Sequence, residues 1–157
     1  MTGEIAESLN LDGSKLRIAI IGTRWNAGLV QRLTDGARRG LDSLSVSSVV
    51  ESSVPGAYEL PFAANIIARS SRVDGIIVVG AVIRGETTHY ELVAGECGRG
   101  IQDVQLNTQV PIGFGVLTVE NEAQALARSK TAGGHNVGEE AAVVAVEMAL
   151  LRKHWTS

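Results

Sequence analysis

Four short runs of aliphatic and β-branched residues, each followed by a stretch of helical periodicity, constrain this chain more than any other feature. Leu16-Arg17-Ile18-Ala19-Ile20-Ile21-Gly22 reads as a strand buried on both faces, and Leu29, Leu33, Ala37, Leu41 and Leu44 then recur at helical spacing through residues 26–44. A second strand over 46–54 stops at Pro55-Gly56, and a helix over 59–70 follows with Leu60, Ala63, Ala64, Ile67 and Ala68 on one side. The third pair is a strand over 75–82 and a helix from 87 to about 107. The fourth strand covers 110–117, with Pro111 near its start, where a missing ladder donor is tolerated. Right-handed crossovers between such strands give a parallel sheet with helices on both faces. The expected fold class is therefore α/β, a three-layer α/β/α sandwich around a four-stranded parallel sheet. Beyond the fourth strand the pattern predicts a short helix over 121–129 and a long one over 137–155, with Lys130 to Asn136 between them. That long helix is apolar on most sides, so it must be covered on more than one, by sheet and helix or by another subunit.

At 157 residues the chain suffices for one domain that buries roughly two-thirds of its unfolded surface. Residues 1–14 are polar and acidic and read as an N-terminal tail, which leaves 15–157 as the domain. A net charge of −3 without any Lys/Arg block argues against nucleic-acid and membrane partners and for small molecules or proteins. The single cysteine, Cys97, excludes an intrachain disulfide and reads as a small packed residue in a reducing compartment. With no secretory signal and no membrane-length apolar run, a cytoplasmic protein is expected. Aromatics are few. Trp25, Tyr58 and Tyr90 fall just after strands, where open α/β sheets place their ligands, while Trp155 near the chain end reads as a packing residue.

The densest chemistry lies in Gly80-Ala81-Val82-Ile83-Arg84-Gly85-Glu86-Thr87-Thr88-His89-Tyr90. Gly85 is expected to turn the chain through angles closed to other residues, and Thr87 or Thr88 to cap the next helix, whose first amides can hold an anion. His89 would sit in that first turn, and an imidazole titrates near about pH 6.5, suited to proton transfer. From this segment alone His89 is either an acid–base group or an ordinary polar residue at a helix start, and Arg84 reads as a solvated strand-end charge.

Together with Arg24-Trp25-Asn26, Val54-Pro55-Gly56-Ala57-Tyr58-Glu59-Leu60-Pro61, the Phe-Gly-Val-Leu-Thr of 114–118, Glu122-Ala123-Gln124-Ala125 and Glu147-Met148, this segment resembles the lumazine synthase family of riboflavin biosynthesis over nearly the whole chain after Leu16. The resemblance implies a flavodoxin-like fold and a transferase. The enzyme condenses 5-amino-6-ribitylamino-2,4-pyrimidinedione with 3,4-dihydroxy-2-butanone 4-phosphate through an imine, losing phosphate and water, to 6,7-dimethyl-8-ribityllumazine, with no metal and no cofactor. It implies that Trp25 stacks on the heterocycle, that Asn26, Ala57, Tyr58 and Glu59 meet the ring and ribityl chain, and that Val82 and Ile83 read the pyrimidine edge. By the same resemblance Gly85, Glu86 and Thr87 form the phosphate turn, His89 is the general acid/base, and a neighbouring subunit lends Phe114 and Arg128. Sites shared in this way imply a homo-oligomer, in this family commonly a pentamer.

One segment departs from the pattern. Residues 128–138 read Arg-Ser-Lys-Thr-Ala-Gly-Gly-His-Asn-Val-Gly, one residue longer than in many members, and Val137 stands where a lysine is common. The connection resembles that of fungal-type members. A missing cation near the phosphate predicts reduced but retained activity, with Lys130 or His135 as substitutes, and the longer connection favours a free pentamer over a larger shell. Two other readings stay open: a weakly active riboflavin- or lumazine-binding or shell-forming homologue, and a flavodoxin-type nucleotide binder, against which stands the absence of a glycine-rich phosphate loop after the first strand.

Overall fold

The computed structural model describes residues 10–156. Most of the expected tail, residues 1–9, lies outside the described residues, as does Ser157. The elements run β1 (Arg17–Thr23), α1 (Ala27–Ser43), β2 (Ser48–Val54), a 3₁₀ turn (Ala57–Glu59), α2 (Leu60–Arg69), β3 (Gly75–Ile83), α3 (His89–Thr108), β4 (Ile112–Val119), α4 (Glu122–Ala127) and α5 (Val137–Thr156). The sheet order is β2-β1-β3-β4, all parallel. The chain thus has the expected α/β fold, flavodoxin-like in topology. No helix among the described residues is long and apolar enough to cross a membrane.

Successive strand residues point to opposite faces, so each apolar run fills two cores at once. Ile18, Ile20, Ile77 and Val79 face a core completed by α1 and α5, whereas Ala19, Ile21, Ile76 and Val78 face one completed by α2 and α3. Each fully buried Ile, Leu or Val contributes about 1.5–3 kcal/mol relative to an exposed position. Cys97 lies in the second core, fully buried, and burial pushes its thiol up to about 12, which keeps it protonated and inert.

The long helix α5 earns its apolar character by close contact. Ala141, Ala142, Ala145, Val146 and Ala149 are buried, and the backbone of the helix lies directly on neighbouring backbone at two glycines. A Cβ at Gly113 of β4 would come within 2.0 Å of Ala141 O, and one at Gly138 of α5 within 2.1 Å of Leu33 O. Asn136, buried at the entry to α5, ties the preceding connection down: its Nδ2 donates to Arg32 O (3.1 Å) and Lys130 O (2.9 Å), and its Oδ1 accepts from Glu139 N (3.1 Å). The other face of α5 is open in the single chain, with Val144, Met148 and Leu151 each more than 40 % exposed.

Three expectations need correction. The fourth strand begins at Ile112, so Pro111 precedes it, although Pro111 O still accepts from Ile76 N at 2.9 Å. The second strand begins at Ser48 and is largely exposed, because it is a sheet edge. Trp155 does not pack: it is 77 % exposed on the last turn of α5, edge-on to His154. The described end of the tail lies against the domain, with Gly13 buried and its N–H donating to Leu44 O (2.8 Å).

At the far end of the sheet from the strand carboxyl ends, Asp74 clamps β1 to β3. Its Oδ2 accepts from Arg17 N (2.7 Å) and Arg17 Nε (3.2 Å), and its own N–H donates to Arg17 O (2.7 Å). Burial alone would raise the Asp74 pKa, but the Arg17 hydrogen bonds and the nearby Lys153 together outweigh it and hold the carboxyl below its ordinary range. A carboxyl whose folded pKa is depressed stabilises the fold above its unfolded value of about 4, and that stability is lost as pH falls through the folded pKa. Asp74→Asn is therefore expected to lower stability at pH 7 by about 1–2 kcal/mol. The deficit should shrink below about pH 4, where the wild-type carboxyl also protonates. Urea unfolding across a pH series checks this; a deficit that does not change with pH would refute the clamp.

Candidate active site

A cleft of about 430 Å³ opens over the carboxyl ends of β1, β2 and β3. It sits where strand order reverses on either side of β1, the place at which loops diverge and leave a crevice. The β1–α1 turn forms one wall. Asn26 there has left-handed backbone angles (φ 59°, ψ 46°), a region Asn tolerates better than most residues, and its Nδ2 donates to Ala81 O of β3 at 3.0 Å. The same turn is stitched to β2, with Arg24 N donating to Val54 O (2.9 Å) and Trp25 N to Pro55 O (3.2 Å). Trp25 is thereby held beside the cleft with 69 % of its surface free.

The 3₁₀ turn supplies the second wall. Glu59 Oε2 accepts from Gly56 N at 3.0 Å, which fixes Ala57, Tyr58 and Glu59 along the cleft, and Glu59 is exposed. Ala57 is buried, and Tyr58 is 56 % exposed. Val82 and Ile83, the last residues of β3, form the floor and are half-buried.

The start of α3 closes the third side with Gly85, Thr87 and His89. His89 is the first helical residue and is exposed, and its N–H donates to Thr87 Oγ1 at 3.3 Å. Thr88 occupies the cap position without a side-chain cap bond, so Thr87 is the threonine that serves this end. Leu92 N is the first to bond back, to Thr88 O (3.3 Å); amides before it lack a carbonyl one turn earlier and carry the positive end of the helix dipole. Gly85 does not turn through positive φ, contrary to expectation: a Cβ there would meet nothing within 4 Å, so what a glycine leaves at this position is open space.

Trp25, Asn26, Ala57, Tyr58, Glu59, Val82, Ile83, Gly85, Thr87 and His89 thus share one cleft. Three expected site residues do not. Glu86 is exposed outside the lining, Arg128 is exposed beyond α4 with Nη1 donating to Gln124 O (3.0 Å), and Phe114 lies in a different groove. Phe114, a strand residue that would ordinarily be core, is 39 % exposed because it stands on edge strand β4. That groove, of about 390 Å³, also holds Val137, whose N–H donates to Arg128 O at 2.9 Å. His135 pairs with Glu140 (Nδ1 to Oε1, 3.0 Å), and Lys130 is exposed.

Sequence reasoning missed several contributors. Leu92 and Val93 of α3 also line the cleft, beside Tyr90, whose place after a strand points there; the signal was apolar side chains left on the helix face beside His89. Arg84 is no free strand-end charge. It pairs with Glu91, and its Nε lies 2.8 Å from Glu120 Oε2 while its guanidinium carbon stands 4.3 Å above the Tyr90 ring.

The chain matches the family model described as 6,7-dimethyl-8-ribityllumazine synthase over residues 15–153. The chain belongs to the 6,7-dimethyl-8-ribityllumazine synthase family. A relative from Kineococcus radiotolerans named 6,7-dimethyl-8-ribityllumazine synthase is 45 % identical over 148 residues, covering 94 % of this chain and 91 % of that protein. The reaction is the condensation that yields 6,7-dimethyl-8-ribityllumazine from small-molecule substrates.

Because Asn26 combines a left-handed backbone with the bond to Ala81, its two roles are separable. Asn26→Gly is expected to lose about 1 kcal/mol, the hydrogen bond alone, and Asn26→Ala about 1 kcal/mol more, since alanine also resists αL. Thermal denaturation of both variants measures the difference, and equal losses would show that the backbone conformation carries no cost here.

Proposed function

We propose that the cleft binds both substrates of the condensation, 5-amino-6-ribitylamino-2,4-pyrimidinedione and 3,4-dihydroxy-2-butanone 4-phosphate, and that a second subunit completes it. The observation that carries this reading is the make-up of the lining: an aromatic plane, a carboxylate, two strand-end backbones and a helix N-terminus with a histidine, but, among the described residues, no lysine or arginine. The pyrimidinedione stacks on Trp25, whose exposed face offers apolar area and a preferred ring geometry. Its edge meets the backbone of Val82 and Ile83, and its ribityl hydroxyls donate to Glu59, with Asn26, Ala57 and Tyr58 beside them. The phosphate sits at Gly85, Glu86 and Thr87 against the amides that open α3; Glu86 contributes through its backbone, since its carboxylate would repel the anion.

The amine of one substrate attacks the ketone of the other and a first water leaves to form the imine; phosphate is eliminated, and the ribitylamino nitrogen then attacks the remaining carbonyl, losing a second water as the ring closes to the lumazine. Each step moves a proton, and His89, two residues beyond the phosphate turn and first in α3, carries it in this reading. The reaction needs neither redox chemistry nor a resident cofactor.

A dianionic phosphate in a cleft without a cation is poorly compensated, so a positive side chain must come from outside the chain's own lining. Arg128 of an adjacent subunit supplies it in this reading, with Phe114 closing over the stacked ring; both are exposed and outside the cleft of their own chain. The exposed apolar face of α5 and the Phe114 groove support association of this kind. A closed ring, the family's pentamer, provides every cleft with the same neighbour. Val137 leaves the phosphate one cation short of many members, which fits reduced but retained turnover, and the lone Cys97 fits a cytoplasmic enzyme.

His89→Ala is expected to lower kcat by about 10²–10⁴-fold with the spontaneous reaction subtracted. Arg128→Ala should chiefly raise KM for the butanone phosphate. Refolding the two variants together and assaying at butanone phosphate far below the raised KM, where each alone turns over little, should restore about a quarter of wild-type activity, because random assembly pairs an intact His89 with an intact neighbouring Arg128 at that frequency. No recovery on mixing would exclude a shared site, and a wild type no faster than the spontaneous background would favour the binding-protein reading, marked by tight riboflavin binding and quenched Trp25 fluorescence.

A further inference from the structure

We propose that Arg84 is a positioning residue of the phosphate turn, locked by Glu91 and Glu120, and not itself a phosphate ligand. Arg84 follows the last residue of β3 and precedes Gly85, so it stands at the root of the turn that ends in His89. Its backbone N–H donates to Val119 O (2.9 Å), which continues the pairing of β3 with β4 one residue past the strand. Its guanidinium then makes three contacts on two further elements: Glu91 and the Tyr90 ring (4.3 Å) in the first turn of α3, and Glu120 just past β4 (Nε to Oε2, 2.8 Å).

The geometry decides against a ligand role. Of the guanidinium's three nitrogens, Nη1 and Nε are each paired with a carboxylate and the face lies on Tyr90, which leaves Nη2 alone to meet an anion and rules out a bidentate grip by Nε and Nη2 together. Two carboxylates against one guanidinium leave the cluster with net negative charge, which an incoming phosphate would not approach. The same contacts explain how a five-residue connection with exposed Arg84, Gly85, Glu86, Thr87 and Thr88 keeps one shape. Strand β3, helix α3 and the end of β4 are pinned to a single point, and the amides that receive the phosphate hang between two of those pins. Tyr90 lines the cleft with one side of its ring while Arg84 holds it in place, so the lock also bears on the wall next to His89.

This inference rests on the proposed placement of phosphate at residues 85–87. Loosening the lock should misplace phosphate more than the pyrimidine ring, which is held by Trp25, Val82 and Ile83 on the other side of the cleft. The test is steady-state kinetics with both substrates varied, on wild type, Arg84→Gln, Arg84→Lys and Glu120→Gln, each checked for unchanged thermal midpoint and assembly size. Arg84→Gln and Glu120→Gln should both raise KM for the butanone phosphate, by about 10-fold or more for Arg84→Gln, with kcat lowered and KM for the pyrimidinedione within about twofold of wild type. Arg84→Lys should recover only part, since lysine cannot bind both glutamates in a fork. If Glu120→Gln instead lowers KM for the butanone phosphate, Arg84 is a ligand that the glutamate restrains, and the inference is wrong. It is equally wrong if Arg84→Gln leaves both KM values unchanged or raises them together. Arg84→Lys and Glu120→Gln keep the question decidable should Arg84→Gln fail to fold. A wild type without activity would overturn the functional reading itself, an outcome distinct from an active wild type whose kinetics ignore Arg84.

Discussion

Everything in this molecule hangs on a four-stranded parallel sheet that must be dry on both faces. Parallel strands cannot be joined by tight turns, so each crossover becomes a helix, and right-handed crossovers distribute those helices over two layers. The alternation Ile76/Val78 toward one core and Ile77/Val79 toward the other makes β3 the hub. The same constraint brings every β-to-α connection out at one end of the sheet. The cleft is thus a consequence of covering the sheet: the turns after β1, β2 and β3 emerge side by side, and chemistry carried by residues far apart in sequence meets there.

Much of this was legible in the sequence because strand and helix periodicities are local properties. The strand–helix pairs, their order, and the residues at the strand ends follow from composition read ten residues at a time. Local reading failed where a residue's environment is set by its position in the sheet. Phe114 has the profile of a core residue, and Ser48–Val54 that of an ordinary half-buried strand, yet both are exposed because β4 and β2 are edges. Edge status depends on strand order, which no single segment encodes. The apolar circumference of α5 is a similar case. Part of it is explained by contacts so close that only glycine fits opposite, at Gly113 and Gly138, and part stays open on Val144, Met148 and Leu151.

At the site, sequence spacing was enough to bring Trp25, Glu59, Val82 and His89 to one end of the sheet, because each lies within a few residues of a strand's carboxyl end. It could not reveal what holds them. Asn26 reads as a helix start, yet its work is to bridge β1 to Ala81 of β3 from a left-handed backbone. Arg84 reads as a solvated charge, yet one of its partners, Glu120, is 36 positions away and becomes adjacent only because β4 pairs with β3. Supporting contacts of this kind arise from topology, whereas the reactive groups arise from motif.

That division has an electrostatic consequence. The cation next to the proposed phosphate turn is already matched locally: Glu91 first and Glu120 second raise the pKa of Arg84. A chain that commits its local arginine to geometry must find charge compensation for its substrate elsewhere. Helix amides meet part of a phosphate's charge, and they do so without the desolvation that a buried ion pair would require. In the proposed reading the remainder falls to Arg128 of another subunit. If the proposed placement holds, association is a condition of catalysis, since a single chain would offer the stacking ring and His89 but leave the leaving group's charge unanswered.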